Sequence, residues 1–135
     1  MTYAQRMIET SPSPAPADTA ALVECIEACF DCAQACPACA DACLGEEDVQ
    51  MLTRCIRLDL DCADVCEAIG KILSRQTSFD PHMAGAALRV CAEVCRLCGE
   101  ECERHAEHHE HCQVCAEACR RYKRACNNLL SAIGF

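Results

Sequence analysis

The chain has 135 residues, a length that fits one domain of ordinary size. It carries 17 cysteines but three phenylalanines, two tyrosines and no tryptophan, a composition that excludes an ordinary hydrocarbon core. The net charge of -9, with basic residues scattered along the chain, argues against nucleic acid as a partner.

The sequence shows neither a membrane span nor an export signal. No stretch approaches the roughly 18 apolar residues of a membrane helix, and the first residues lack the apolar run of a signal peptide. We therefore expect a cytoplasmic protein without a membrane partner. In that reducing compartment thiols stay reduced unless a metal holds them, and an odd number of cysteines cannot pair completely.

Residues 1–17 are predicted to form a separate N-terminal segment. A short amphipathic piece from Tyr3 to Glu9 is followed by a stretch from Ser11 to Ala17 in which every second residue is proline. Alternating prolines disfavour a helix and are typical of a linker. Residues 18–135 are then expected to form one domain.

The first long helix is predicted between Asp18 and Gly45. Aspartate is a preferred N-cap, and glycine commonly ends a helix. Pro37 lies inside this helix and is expected to bend it near Ala33 without breaking it, because the apolar periodicity continues past the proline.

Three further helices follow with short connections. The second is predicted from about 47 to 74, and the third from Pro81 to about His105, because Asp80 and Pro81 together are a specific helix start. A histidine-rich hinge over residues 105–111 then leads to a fourth helix that ends near Ala132.

The cysteines follow a heptad pattern on these helices. The spacing alternates between four and three residues, which places every cysteine on one face of its helix. Successive helices give Cys25, Cys29, Cys32, Cys36, Cys39 and Cys43; Cys55, Asp59, Cys62 and Cys66; Cys91, Cys95, Cys98 and Cys102; and Cys112, Cys115, Cys119, Tyr122 and Cys126. The pattern predicts an all-α, antiparallel up-down-up-down four-helix bundle with a cysteine-lined lumen.

A lumen lined by thiols indicates metal binding. Cysteine is smaller than leucine, so seventeen thiols alone would leave the core underfilled, and cysteines four apart on a helix are poorly placed for disulfides. Thiolates select Cu(I), zinc or iron-sulfur clusters. Cu(I) fits a continuous stripe best because it accepts two or three sulfurs and each thiolate can bridge two ions, which gives about one copper per cysteine.

The two ends of the lumen are predicted to differ. One end collects exchangeable copper ligands, of which His105 and His108 occupy stripe positions and are favoured over His109 and His111. The thioether of Met51 belongs to the same end. His82, at the other end, is interpreted as a surface residue. That end is expected to be closed by apolar residues, so that the fold should not need metal: Leu22, Ile26, Ile69, Leu73, Met83, Leu88, Leu129 and Ile133.

Asp59 and Tyr122 interrupt the thiol lining. Either Asp59 faces inward and accepts a thiol hydrogen bond or binds a cation, or the helix rotates so that Leu58 faces inward, and both readings stay open. The candidate metal ligands are therefore the seventeen cysteines, His105, His108, His109, His111, Met51 and Asp59.

These stripes, with the histidine-rich hinge and the absence of an export signal, resemble the bacterial copper storage proteins, particularly their cytosolic branch. The resemblance covers about residues 18–133. It implies storage of many Cu(I) ions for detoxification or as a reserve, assembly into a homotetramer, and histidine or methionine at the open mouth. A copper donor or acceptor protein would be the further partner.

Two alternatives to a non-enzymatic Cu(I) store remain. Several cysteine pairs match the C-x-x-C pattern of thiol redox proteins, for example Cys36 with Cys39, but most lie in the middle of a helix and not at its exposed N-terminus. A zinc-thiolate buffer in the same bundle would saturate near four ions, because zinc prefers closed tetrahedra.

Overall fold

The computed structural model describes residues 1–16 and 18–134. Ala17 and Phe135, the last residues of the predicted N-terminal segment and of the predicted bundle, lie outside the described residues. The described part folds into helices joined by short turns: α1 (Tyr3–Thr10), α2 (Thr19–Leu44), a short 3-10 helix (Val49–Leu52), α3 (Thr53–Leu73), α4 (Pro81–His105) and α5 (Glu110–Ala132).

Helix α2 begins and ends where its capping residues predict. The Asp18 carboxylate accepts hydrogen bonds from the backbone N–H groups of Ala20 at 2.9 Å and Ala21 at 3.2 Å. Gly45 follows the last helical residue, and its N–H group donates to the carbonyl oxygen of Ala42. The helix runs without interruption through Pro37.

The second predicted helix is divided in the structure. Val49–Leu52 forms a 3-10 helix, and regular α-helix begins only at Thr53. The Met51 N–H group donates to the Asp48 carbonyl oxygen three residues earlier, as in a 3-10 turn. The Asp48 side chain makes no cap hydrogen bond because its carboxylate contacts His109 instead. The Asp48 carboxylate is therefore engaged by His109 and does not cap a helix, and α3 begins later than predicted.

Helices α4 and α5 form a second antiparallel pair. The Asp80 carboxylate caps α4 through the N–H groups of His82 at 2.9 Å and Met83 at 3.2 Å. Helix α4 ends at His105, and α5 begins at Glu110 after a four-residue turn. The predicted start and end of α4 are confirmed.

The four long helices pack as a bundle in which each has two neighbours. Helix α2 contacts α3 and α5, and α4 contacts the same two helices on the opposite side. The short turns make successive helices antiparallel. The predicted four-helix bundle is confirmed, and the cysteine stripes of all four helices face its centre.

A glycine brings α3 close to α2. A Cβ atom added to Gly70 would lie 3.0 Å from the Cβ atom of Cys29 and 2.9 Å from the ring of Phe30. Contacts this short would force the neighbouring side chains to shift, so a glycine at this position lets α3 approach α2 closely.

One end of the lumen is closed by a hydrocarbon layer, which we define by its buried residues: Leu22, Ile26, Ile69, Leu73, Leu88 and Leu129. Met83 was expected in this layer, but its side chain is 57 % exposed. It lies in the first turn of α4, where Ala84 takes the inward position. Ile133 is half-buried. Among the described helices, none combines the length and the apolar character needed to cross a membrane.

The N-terminal segment packs against the bundle. Helix α1 is capped by Thr2, contacts α2 and buries Ile8 in the common apolar core. The following linker is joined to the turn between α3 and α4 by a 2.9 Å hydrogen bond between the hydroxyl groups of Ser13 and Thr77. Residues of the segment thus contact the bundle at two places.

Candidate metal centre

All seventeen cysteines are free thiols with buried side chains. Their sulfur atoms line the lumen because the four-three spacing keeps each stripe on the inward face of its helix. Distances between neighbouring sulfurs include 3.7 Å for Cys55 and Cys102 and 3.9 Å for Cys36 and Cys119. Such spacings allow one ion to contact sulfurs from different helices.

The sulfurs fall into overlapping groups of four that could each hold a metal ion. Within a group, the ligand atoms lie within 4.8 Å of one another, and neighbouring groups share one or two members. From the His111 end inward, five of the groups are Cys39, Cys43, His111 and Cys112; Cys39, Asp59, Cys102 and Cys115; Cys36, Cys98, Cys115 and Cys119; Cys32, Cys36, Cys62 and Cys119; and Cys32, Cys62, Cys66 and Cys95.

His111 is the histidine that faces the thiols. Its Nδ1 atom lies 3.3 Å from the Sγ atom of Cys39 and 3.7 Å from that of Cys112. We call this end of the lumen, with His111, Cys39, Cys43 and Cys112, the mouth. Imidazole nitrogen and thiolate sulfur are both ligands of copper and zinc, so the mouth can hold a metal ion with mixed coordination.

Two carboxylates contact His111 of the mouth and the neighbouring His109. The Nε2 atom of His111 lies 3.1 Å from a carboxylate oxygen of Glu46, which also contacts His109 Nδ1 at 2.5 Å. The other ring nitrogen of His109 lies 3.0 Å from Asp48. The hydrogen bond with Asp48 raises the pKa of His109. These contacts connect the turn after α2 with the turn before α5. The sequence did not indicate a role for Glu46 or Asp48.

The structure differs from the expectation for the other hinge residues. His105 lies on the flank of the bundle, where its Nε2 atom is 3.0 Å from the buried Glu101 carboxylate. His108 is exposed, and the Met51 side chain is 73 % exposed. His108 lies in the turn between α4 and α5, where helical periodicity does not hold, and His105, the last residue of α4, contacts Glu101 instead. The structure therefore brings His111, and not His105 or His108, next to the thiols.

Asp59 faces the lumen, whereas Leu58 is half-buried at the side. One Asp59 oxygen accepts thiol hydrogen bonds from Cys98 at 3.1 Å, Cys115 at 3.3 Å and Cys102 at 3.5 Å. Burial, and then the negative charge of neighbouring thiolates, raises the pKa of Asp59 to about 8. Of the two alternatives that the sequence left open, the structure therefore shows the one in which Asp59 faces the lumen and accepts thiol hydrogen bonds.

Tyr122 also faces the lumen and has no exposed surface. Its hydroxyl oxygen lies 2.9 Å from the Sγ atom of Cys29 and 2.5 Å from that of Cys91. Burial, followed by negative charge on Cys29, raises the pKa of Tyr122 and keeps the phenol protonated. A neutral phenol is therefore present where the stripe would otherwise place a thiol or an apolar residue.

Hydrogen bonds between thiols make some of them acidic. Those from Cys119 and Cys32 hold the pKa of Cys62 well below its usual value. Similarly, the hydrogen bond with Cys102 lowers the pKa of Cys55 to about 3. A thiolate is the form that binds metal, so these two thiols are among the more readily ionised ligands of the lumen.

Comparisons with known proteins agree with this arrangement. A family model described as copper storage protein matches residues 18–131. The structure of the copper storage protein Ccsp from Streptomyces lividans, loaded with 10 copper equivalents, is 52 % identical with a TM-score of 0.93, and the match covers 96 % of this chain and 98 % of that chain.

Two further solved structures extend the comparison. A cytosolic copper storage protein from Streptomyces lividans with five coppers is 57 % identical, with a TM-score of 0.84 and coverage of 85 % of this chain and 96 % of that one. The apo form of copper storage protein 3 from Bacillus subtilis is 39 % identical, with a TM-score of 0.66 and coverage of 78 % and 95 %. A search of the curated proteins gave no match. The match over most of the chain shows that it belongs to the copper storage protein family.

Proposed function

We propose that this protein stores many Cu(I) ions in its lumen, about one for each cysteine. The seventeen thiolates are the ligands, with His111 at the mouth and Asp59 within the thiol lining. The task is storage and not catalysis. His105, His108, His109 and Met51 are not ligands in this proposal, because their side chains are directed at carboxylates or solvent.

The overlap of the ligand groups is the observation that carries the proposal. Separate tetrahedral sites would suit zinc, whereas a series in which neighbouring groups share sulfurs suits an ion that accepts two or three bridging thiolates. Because Cys39 and Cys115 each belong to two groups, an ion can be passed inward without losing all its ligands.

Charge balance supports a high copper content. Each bound Cu(I) replaces a thiol proton, so a lumen with equal numbers of thiolates and Cu(I) ions is neutral. Burial of unpaired thiolates would be costly, which favours complete occupancy over partial ionisation. Loading should release about one proton per copper from the thiols that are protonated at neutral pH.

Copper is proposed to pass through the mouth. His111 offers Nδ1 toward Cys39, and Glu46 accepts a hydrogen bond from Nε2 on the other side of the ring. A carboxylate cannot donate, so Glu46 selects the tautomer in which Nδ1 is free to bind an ion. Glu46 is thus a positioning residue for His111.

The cellular compartment and the partners of this chain are proposed from its relatives. The Streptomyces lividans protein with five coppers is described as cytosolic, and we propose the same compartment for this chain. A homotetramer, and a copper donor or acceptor protein that approaches the mouth, are the expected partners. The acidic side chains of Glu46 and Asp48 beside the mouth would attract a positively charged surface on such a protein.

An anaerobic titration of the fully reduced protein with Cu(I), in the presence of a Cu(I) chelator, tests the proposal. Tight binding of about one ion per cysteine supports it. Saturation at four ions or fewer indicates a zinc-type buffer, and failure to compete with the chelator indicates thiol redox chemistry. A parallel titration with zinc, followed by Cu(I), should show displacement of zinc.

A further inference from the structure

The thiol lining has two parts that lie on either side of Tyr122. Thirteen cysteines belong to the overlapping series that begins at the mouth, with Cys55 joined to it through Cys102 at 3.7 Å. The remaining four lie between Tyr122 and the hydrocarbon layer, and we call them the distal cluster: Cys25, Cys29, Cys91 and Cys126.

The distal thiols interact with one another. The Sγ atoms of Cys29 and Cys91 both contact the Tyr122 hydroxyl oxygen, at 2.9 Å and 2.5 Å, and Cys25 and Cys126 lie near these two thiols. Three helices contribute to the cluster, since the four residues lie on α2, α4 and α5. Four sulfurs are a sufficient ligand set for several bridged Cu(I) ions.

Tyr122 lies between this cluster and the rest of the lining. Its hydroxyl group is within hydrogen-bond distance of Cys29 and Cys91, which belong to the distal cluster, and it also lies near Cys66, which belongs to the series that begins at the mouth. The side chain has no exposed surface, and its hydroxyl group reaches from α5 to thiols on α2 and α4, so the ring extends across the interior of the bundle at this height. Gly70 on α3 lies at the same level, since a Cβ atom added to it would be 3.0 Å from the Cβ atom of Cys29.

We propose that Tyr122 divides the lumen into two copper compartments, and that the distal cluster is a separate store that fills last and empties last. Cu(I) moves along the mouth compartment by exchange between sulfurs, but a phenol oxygen is a hard donor that Cu(I) binds poorly. An ion must therefore pass the ring without a bridging ligand. This inference rests on the proposed copper storage.

Rapid mixing of reduced protein with a limited excess of Cu(I), followed by thiolate-to-copper absorption, tests the division. We expect two phases, a fast one of about thirteen ions and one at least about tenfold slower of about four ions. Tyr122→Cys adds a sulfur where the ring was. It should merge the phases and raise the capacity by about one ion.

Matched variants separate the ring from other effects. Tyr122→Phe keeps the ring and should keep the slow phase, whereas Tyr3→Cys places the same new thiol on the exposed helix α1 and should leave the slow phase unchanged. Cys126→Ser should reduce the amplitude of the slow phase only. Circular dichroism of each variant confirms that the bundle is intact.

The outcomes distinguish this inference from the proposed function. A wild-type protein that binds about one copper per cysteine in a single phase would overturn the division but leave storage intact. A slow phase that persists in a folded Tyr122→Cys variant would do the same. Failure to bind many Cu(I) ions at equilibrium would instead overturn the proposed function itself.

Discussion

The Nδ1 atom of His111 lies 3.3 Å from the Sγ atom of Cys39, although the two residues are 72 positions apart in the chain. The contact joins the second-last turn of α2 to the first turn of α5. It gives the thiol series a nitrogen ligand at the end that is not closed by hydrocarbon. An incoming ion can therefore exchange a ligand from outside for His111 before it reaches the first thiolates.

His111→Ala should slow the uptake of the first Cu(I) ions by about tenfold and lower the capacity by no more than about one ion. The variant removes the nitrogen that faces Cys39 but leaves every thiol in place. His108→Ala is the matched control, since the His108 side chain is exposed in the same turn. Stopped-flow uptake measures both, and equal rates for the two variants would contradict the assignment of the mouth.

Glu46→Ala should reproduce much of the effect of His111→Ala, because the imidazole loses the acceptor that fixes its tautomer. Glu46→Gln keeps an acceptor oxygen and should restore most of the rate. The double variant Glu46→Ala with His111→Ala should be no slower than His111→Ala alone, as expected for residues that act through one contact.

Nitrogen chemical shifts of the His111 ring report the tautomer directly. They should move toward a mixed population in Glu46→Ala but not in Glu47→Ala, which changes an exposed acidic neighbour. Unchanged shifts in Glu46→Ala would show that the carboxylate has no positioning role.

Asp59 should make the stability of the copper-free protein depend on pH. Its pKa is about 8 in the folded protein and near the ordinary 3.8 when unfolded, so between these values the folded state holds one more proton. Stability contributed by this group is present below pH 4 and is lost as the pH rises toward 8, by at most about 1.4 kcal/mol per pH unit.

The comparison is between wild-type and Asp59→Asn, which has a similar shape and does not ionise. Urea unfolding of both reduced proteins at several pH values gives the difference in the free energy of unfolding. We expect wild-type to lose stability relative to the variant as the pH increases. A constant difference would mean that Asp59 does not change its charge in this range.

Gly70→Ala should destabilise the bundle by roughly 1–3 kcal/mol, because the new methyl group would overlap the Cys29 side chain and the Phe30 ring. Gly45→Ala is the control. That residue has right-handed backbone angles, and its added Cβ atom would meet only the Ala42 carbonyl oxygen at 3.4 Å. Thermal unfolding of the reduced proteins measures the difference, and equal stability of the two variants would contradict close packing at Gly70.

Local signals predicted most of the fold. Asp18 and Asp80 cap their helices through their own side chains, and the four-three spacing of cysteines is maintained within each helix, so boundaries and inward faces could be read directly. The start of α3 could not be read in this way. The Asp48 carboxylate contacts His109, which is distant in sequence, and makes no cap hydrogen bond.

The sequence indicated the candidate ligands that lie on the helices. It did not indicate the acidic residues in the turns that contact the histidines. The cysteines follow helical periodicity and face the lumen as the stripes indicated, and the structure places Asp59 and Tyr122, whose orientation the sequence left open, in the lumen as well. The choice among hinge histidines depends on how the turn before α5 places each ring, which spacing does not encode. Glu46 follows the glycine that ends α2, and its position in that turn was the available signal.

The hydrocarbon layer around Leu22, Leu73 and Leu88 makes the lumen a tube with one opening. Every ion enters and leaves by this opening, so an ion bound at the closed end must pass all the sites between. Copper near the opening therefore remains available for rapid turnover, whereas copper at the closed end has the longest residence time. A single chain thus combines a working supply near its opening with a long-term deposit behind it.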